Sequence, residues 1–255
     1  SGFLITGILL DTKNLAHYYR NFIFKRALRI FPLYYFTLAA FFTLNHYFRF
    51  APDNLQSHQF WFWTYTQNIY FSFNGWFQGE SNLLNHFWSL AQEEQFYLFW
   101  PIVVYYFSPV KTIRFCLLGI IVSLVLRNIH PANPFSYVFF FSRFDSMLIG
   151  GLAAILIRQN REWLNRFVRP LALASLATLL IALAVTRNMD SKAIFFIRAG
   201  YTVFDVFFGC LILLTLDSSP SGVIFKKIFR SKLLVFLGKY SYGIYVYHWI
   251  FLGTV

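Results

Sequence analysis

The run HFWSLAQEEQFYLFWP, residues 86–101, sets Glu93 and Glu94 side by side in a stretch otherwise suited to the inside of a membrane. On a helix with about 100° per residue, His86, Ser89, Glu93 and Tyr97 fall within an arc of about 80°, with Glu94 on its flank. One helix would then turn a histidine, a hydroxyl and two acids toward a common interior. Pro101 would bend that helix and free the Tyr97 carbonyl, which helps to open space. A carboxylate beside a histidine is the equipment of proton transfer, so Glu93, Glu94 and His86 are the candidate proton-handling groups, with Ser89 and Tyr97 in support.

Further charges lie in other apolar runs: Arg143 and Asp145 within 137–157, and Asp205 within 199–216. Ionisable groups at membrane depth are costly, and they mark either a site or a buried pair that fixes packing. Arg143 and Asp145 stand two apart, about 200° around a helix, and cannot pair there. Arg143 is then the expected counter-ion for Glu93 or Glu94. Four mid-span carboxylates face that single arginine, so at least one carboxyl is expected to be protonated or hydrogen-bonded to a histidine. In LGKYSYGIYVYHWI, residues 237–250, Ser241, Tyr245 and His248 share one face; a lone histidine near a span end can also simply snorkel. In KRALRIFPLYY, residues 25–35, Arg26 and Arg29 stand one turn apart at the cytoplasmic mouth of a span. They serve either as topological anchors or as a phosphate clamp, for which two guanidinium forks are well shaped.

The elements that must position these groups follow from composition. Of 255 residues, 58% are apolar and 13% charged, against roughly a quarter charged in soluble domains. Apolar runs at 1–10, 27–44, 87–107, 112–126, 137–157, 170–186, 199–216 and 236–255 are the expected crossings, each near or below the roughly 20 residues a spanning helix needs. The segment 60–73, FWFWTYTQNIYFSF, is short and holds Gln67 and Asn68. If it does not cross, fifteen basic residues collect on one side, and five (Arg49, Arg127, Arg187, Lys192 and Arg198) on the other. If it did cross, the first basic loop would oppose the other three, so a re-entrant or interfacial segment is expected, with the basic loops cytoplasmic. The fold class is all-α, a polytopic transmembrane bundle forming one domain. Its net charge of +12 lies between apolar runs rather than on a solvated basic face, which argues against nucleic acid as a partner. Cys116 and Cys210 read as small core residues, and the chain has no P-loop, GxGxxG, HExxH or Cys/His set with metal-ligand spacing. Both ends fall inside apolar stretches, the mark of a piece of a longer protein.

Taken in order, SGFLIT (1–6), KRALRIFPLYY (25–35), FWSLAQEEQFYLFWP (87–101), SRFDSMLIGGLAA (142–154) and LGKYSYGIYVYH (237–248) resemble the motifs of the membrane acyltransferase 3 family. The resemblance covers essentially the whole chain. It implies a fold of about ten transmembrane helices in the bacterial inner membrane, and transfer of an acyl group, most commonly acetyl, to a hydroxyl of a surface or exported glycan. Acyl-CoA would be the cytoplasmic co-substrate and a glycan or lipid-linked glycan the acceptor, with no bound cofactor and no metal. By the same resemblance Arg26 and Arg29 match the basic pair near the CoA phosphates, and Glu93 and Glu94 the acidic pair beside the reaction centre. Arg143, Asp145, Tyr242 and His248 match polar motif positions without an assigned role. The family's first helix, with an arginine and a histidine about eleven residues later taken as catalytic, has no counterpart here, nor do the last helix or two. That histidine is the expected base, oriented by Glu93 or Glu94, with His86 as the substitute within this chain. The competing reading is a proton-coupled transporter or exporter of a glycan intermediate, in which the same carboxylates relay protons.

Overall fold

The computed structural model describes residues 1–51, 53–77, 79–129, 131, 134–186, 194–216 and 220–252. Arg187 and Lys192 of the outer charge set lie outside them. Apolar runs become helices throughout, and no strand occurs among the described residues. The helices are α1 (Gly2–Thr12), α2 (Tyr18–Phe48), α3 (Asp53–Ser57), α4 (Gln59–Trp63), α5 (Gln67–Asn74), α6 (Trp88–Tyr106) and α7 (Pro109–Ile129). They continue with α8 (Pro134–Val138), α9 (Phe144–Gln159), α10 (Arg161–Thr186), α11 (Tyr201–Thr215), α12 (Pro220–Phe229) and α13 (Lys232–Leu252). Among the described residues, four stretches are long and apolar enough to cross a membrane by themselves: Tyr18–Phe48, Pro109–Ile129, Arg166–Thr186 and Phe196–Thr215.

The expected re-entrant segment is two short helices. At about 1.5 Å per residue, α4 and α5 are roughly 8 and 12 Å long, far short of a hydrocarbon core of about 30 Å. Tyr65, between them, takes a left-handed backbone (φ 54°) although it is bulky and buried. Such a conformation costs about 1–3 kcal/mol and persists only where the surroundings enforce it.

The expected crossing 137–157 is corrected. The chain there divides into α8, a 3₁₀ turn at Phe140–Ser142 and α9. The break survives because α7 side chains satisfy the carbonyls it frees: Ser123 Oγ donates to the Phe141 carbonyl at 2.7 Å, and Arg127 Nη1 to the Ser142 carbonyl at 2.7 Å. Unsatisfied, those groups would be prohibitive at membrane depth.

α9 is the central helix, packed on α1, α7, α10 and α11. Its approach to α1 depends on glycine: a Cβ on Gly150 would lie 2.6 Å from the Phe3 backbone nitrogen, and one on Gly2 would lie 1.9 Å from the Met147 carbonyl oxygen. Small residues of this kind let membrane helices approach to backbone contact. Trp100 of α6 closes the junction, donating through Nε1 to Thr6 Oγ1 at 2.8 Å.

The C-terminal ends of α1, α6 and α9 meet at one end of the bundle. Arg158 reaches Asp11 at 3.0 Å, and Lys13 Nζ donates to the carbonyls of Val104 (2.8 Å) and Phe107 (3.2 Å). The basic loops that follow α1, α6 and α9 therefore share a side, as the charge pattern requires when 60–73 does not cross.

Candidate functional site

α2 and α6 run antiparallel in a register fixed by aromatic contacts. Tyr18 packs against Tyr105 and donates to the Pro101 carbonyl at 3.2 Å, Phe22 meets Tyr97 edge-on, and Tyr34 meets Phe87. Continuing that register sets Arg26 level with Glu94. Its guanidinium lies 5.7 Å from the rings of both Tyr97 and Phe22, within cation–π range. The two arginines are thus not confined to the mouth of a span; they stand at the depth of the acids.

The four consecutive polar residues Gln92–Gln95 are parted by the helical turn. Gln92 Nε2 donates to the Val138 carbonyl at 2.7 Å and anchors the end of α8. Gln95 exchanges hydrogen bonds with Asn68 at 3.1 and 2.8 Å and donates to the Tyr65 carbonyl at 3.0 Å, so it holds the re-entrant break against α6. Glu93 faces a cavity, where Oε2 accepts from Tyr97 at 3.0 Å and Oε1 from the Ser1 hydroxyl. Glu94 is not part of that lining; Arg26 and the tyrosines Tyr34, Tyr35, Tyr65 and Tyr242 lie within its electrostatic reach, and its Oε1 is buried without a hydrogen-bond partner among the described residues.

The cavity, about 430 Å³, is lined by Arg26, Arg29, Ser89, Glu93, Tyr97, Ser241, Tyr242 and Tyr245 among others. The fold therefore assembles eight of the thirteen expected residues in one place, drawn from α2, α6 and α13. Arg29 also lines two neighbouring spaces: one of about 240 Å³ with Lys25 and Arg26, and an open groove of about 660 Å³ with Lys239, Tyr242 and His248. Tyr242 fastens α13 to α2 by donating to the Ile30 carbonyl at 2.9 Å.

His86 does not stand on the α6 stripe, because α6 begins at Trp88 and His86 lies in the 3₁₀ segment Gly79–Phe87. A 3₁₀ turn advances each residue by about 120° rather than 100°, and that rotates His86 off the Glu93 face. Its ring packs 5.0 Å from that of His248 and 5.4 Å from that of Tyr245. The Tyr245 hydroxyl ties this pair to the cavity: it lies 2.5 Å from Ser89 Oγ and donates to the His86 carbonyl. Burial, reinforced by the facing His248, pushes the His86 imidazole down to about 4, so it is neutral at ordinary pH.

Arg143 and Asp145 lie away from the cavity, and the expected pairing of Arg143 with Glu93 or Glu94 is corrected. No such ion pair occurs among the described residues. Arg143 stacks on Tyr201 at 3.9 Å, at the start of α9. Asp145 is held by Arg127, which the charge count had assigned to an outer loop. Arg127 grips both carboxylate oxygens at 2.9 and 2.7 Å, with both side chains fully buried, and Thr202 donates to Oδ2 at 2.5 Å. Arg127 also overturns the count of four mid-span carboxylates facing a single arginine, since Asp145 has its own cation. The signal for it was present: Ser123 and Arg127 are four apart, on one face of α7. Asp205 accepts from Ser146 at 2.5 Å.

These features define a multi-pass helical membrane protein with a cavity bordered by two arginines, an acid and several hydroxyls. The model of the acyltransferase domain family, acyltransferase 3, matches residues 1–255, and the chain belongs to that family. It is similar to O-acetyltransferase OatA of Staphylococcus aureus, with 24% identity over 97% of this chain and 44% of that protein. It is also similar to peptidoglycan O-acetyltransferase OatA of Listeria monocytogenes, at 27% over 98% of this chain and 43% of that protein. A putative acetyltransferase of Acidianus two-tailed virus is 26% identical over 94% of this chain and 68% of its own length. The chain thus spans less than half the length of the two OatA proteins. No solved structure matches it.

Proposed function

We propose that this chain carries the acyl-transfer site of a membrane O-acyltransferase that moves an acyl group, most simply acetyl, from acyl-CoA to a hydroxyl of a cell-envelope glycan, in the plasma membrane. The observation that carries the reading is that Arg26 and Arg29 border the same cavity as Glu93. CoA is multiply anionic, so its phosphates would be drawn to these guanidinium groups and to Lys25, which line the cavity and the adjoining space. The thin pantetheine arm would then bring the thioester to Glu93, Ser89 and Tyr245. A sugar hydroxyl attacks poorly until its proton is drawn away, and Glu93 is the carboxylate that lines the cavity where such a hydroxyl would enter. The hydroxyl oxygen adds to the thioester carbon, the C–S bond breaks, and the proton passes to the departing CoA thiolate. The relatives named as O-acetyltransferases support the acetyl group and the glycan acceptor.

The test is transfer of labelled acetyl from acetyl-CoA to envelope glycan by the intact membrane protein. Glu93→Gln should abolish transfer with the protein still folded. Arg26→Ala with Arg29→Ala should raise KM for acetyl-CoA more than either change alone. Movement of a glycan intermediate without acetyl transfer would favour a transporter and end this reading.

A further inference from the structure

Tyr65 combines three features that packing alone does not explain. It is a bulky side chain in a left-handed backbone at the break between α4 and α5. Its hydroxyl is buried without a hydrogen-bond partner among the described residues. Its carbonyl is gripped at 3.0 Å by Gln95, the residue next to Glu94. The ring itself is well seated, stacked 4.1 Å from that of Tyr34 and 5.7 Å from that of Phe31. Packing therefore accounts for the ring and leaves the hydroxyl unexplained.

Glu94 is the matching half. Its Oε1 is buried and likewise without a partner among the described residues, and Tyr65 is within its electrostatic reach. A buried hydroxyl and a buried carboxyl oxygen, each without a partner among the described residues and within electrostatic reach of each other, are the kind of polar pair that one internal water satisfies. Strain concentrates where a side chain is held for a task. We propose that the Tyr65 hydroxyl is the partner of Glu94 through one buried water, and that Tyr65 is a positioning residue of the active site. The re-entrant segment then has a role beyond filling the outer half of the bundle: it orients the second acid, whose other charged and titratable neighbours are Glu93 on α6, Arg26, Tyr34 and Tyr35 on α2, and Tyr242 on α13.

The inference rests on the acyl-transfer reading, and its test separates the two. Tyr65→Phe keeps the stacked ring and deletes only the hydroxyl. In the intact protein it should lower kcat on the order of 10- to 100-fold, with KM for acetyl-CoA unchanged and Tm unchanged or lowered by only a few degrees. In a Glu94→Gln background it should cause no further loss. Wild-type kcat in Tyr65→Phe, or a loss that adds fully to that of Glu94→Gln, would overturn the proposal. An infrared arm needs no turnover: the carboxyl band that disappears in Glu94→Gln should shift in Tyr65→Phe, and an unmoved band would overturn the proposal whatever reaction the protein performs. Absence of acetyl transfer by the wild type would count against the acyl-transfer reading alone.

Discussion

Arg127 Nη2 lies 2.7 Å from Asp145 Oδ2 with both side chains fully buried, and this pair ties α7 to α9 while Thr202 joins it from α11. Arg127→Met or Asp145→Leu alone leaves an uncompensated buried charge and should cost about 3–5 kcal/mol. Changing both to apolar residues removes the charges together and should cost clearly less. Thermal unfolding of the three purified variants checks this. A double variant no more stable than the worse single one would show that the pair is not what holds these helices.

Glycines on α9 and α13 differ in what surrounds them. A Cβ on Gly150 meets the α1 backbone, whereas one on Gly243 meets nothing within 4 Å. Gly150→Ala should therefore destabilise by roughly 1–3 kcal/mol, as over-packing does. Gly243→Ala should leave stability unchanged or raise it by up to about 1 kcal/mol, because alanine is the better helix former. Denaturation of both variants in the same detergent decides it; equal losses would contradict the close α1–α9 approach.

His86, which precedes the α6 span, is held neutral in the folded protein down to about pH 4, against 6.5 for the free group. Between those values the unfolded chain binds the extra proton, so stability should be full above about pH 6.5 and fall as the pH drops toward 4. His86→Gln should flatten that part of the profile of Tm against pH. An unchanged acid slope in the variant would remove His86 as its source.

Legibility in the sequence differed from group to group. The all-α membrane class, the non-crossing segment 60–73 and the gathering of Arg26, Arg29, Ser89, Glu93, Tyr97, Ser241, Tyr242 and Tyr245 follow from period, charge parity and motif. Where an unbroken α-helix was a sound assumption, as along α6, face assignments hold; on α13, Ser241 and Tyr245 line the cavity while His248 lines the adjoining groove. They failed for His86, where the backbone becomes 3₁₀ just before α6, and for 137–157, where donors from α7 allow a break. Arg127 was misread because charge patterning places a basic residue at the end of an apolar run in water, and only a partner on another helix can keep it buried.

By itself the sequence determined composition, helical period and the sign of each loop, and these set the membrane class and the faces along any one helix, since both depend on neighbours close in the chain. Which helix met which was left to the tertiary structure. It brought Arg26 to the depth of Glu94, gave Asp145 to Arg127, and turned Glu93 to the cavity while leaving Glu94 out of its lining. Those outcomes depend on antiparallel register, glycine-permitted approach and the need of every buried polar group for a partner, quantities that belong to pairs of elements rather than to any local run of residues.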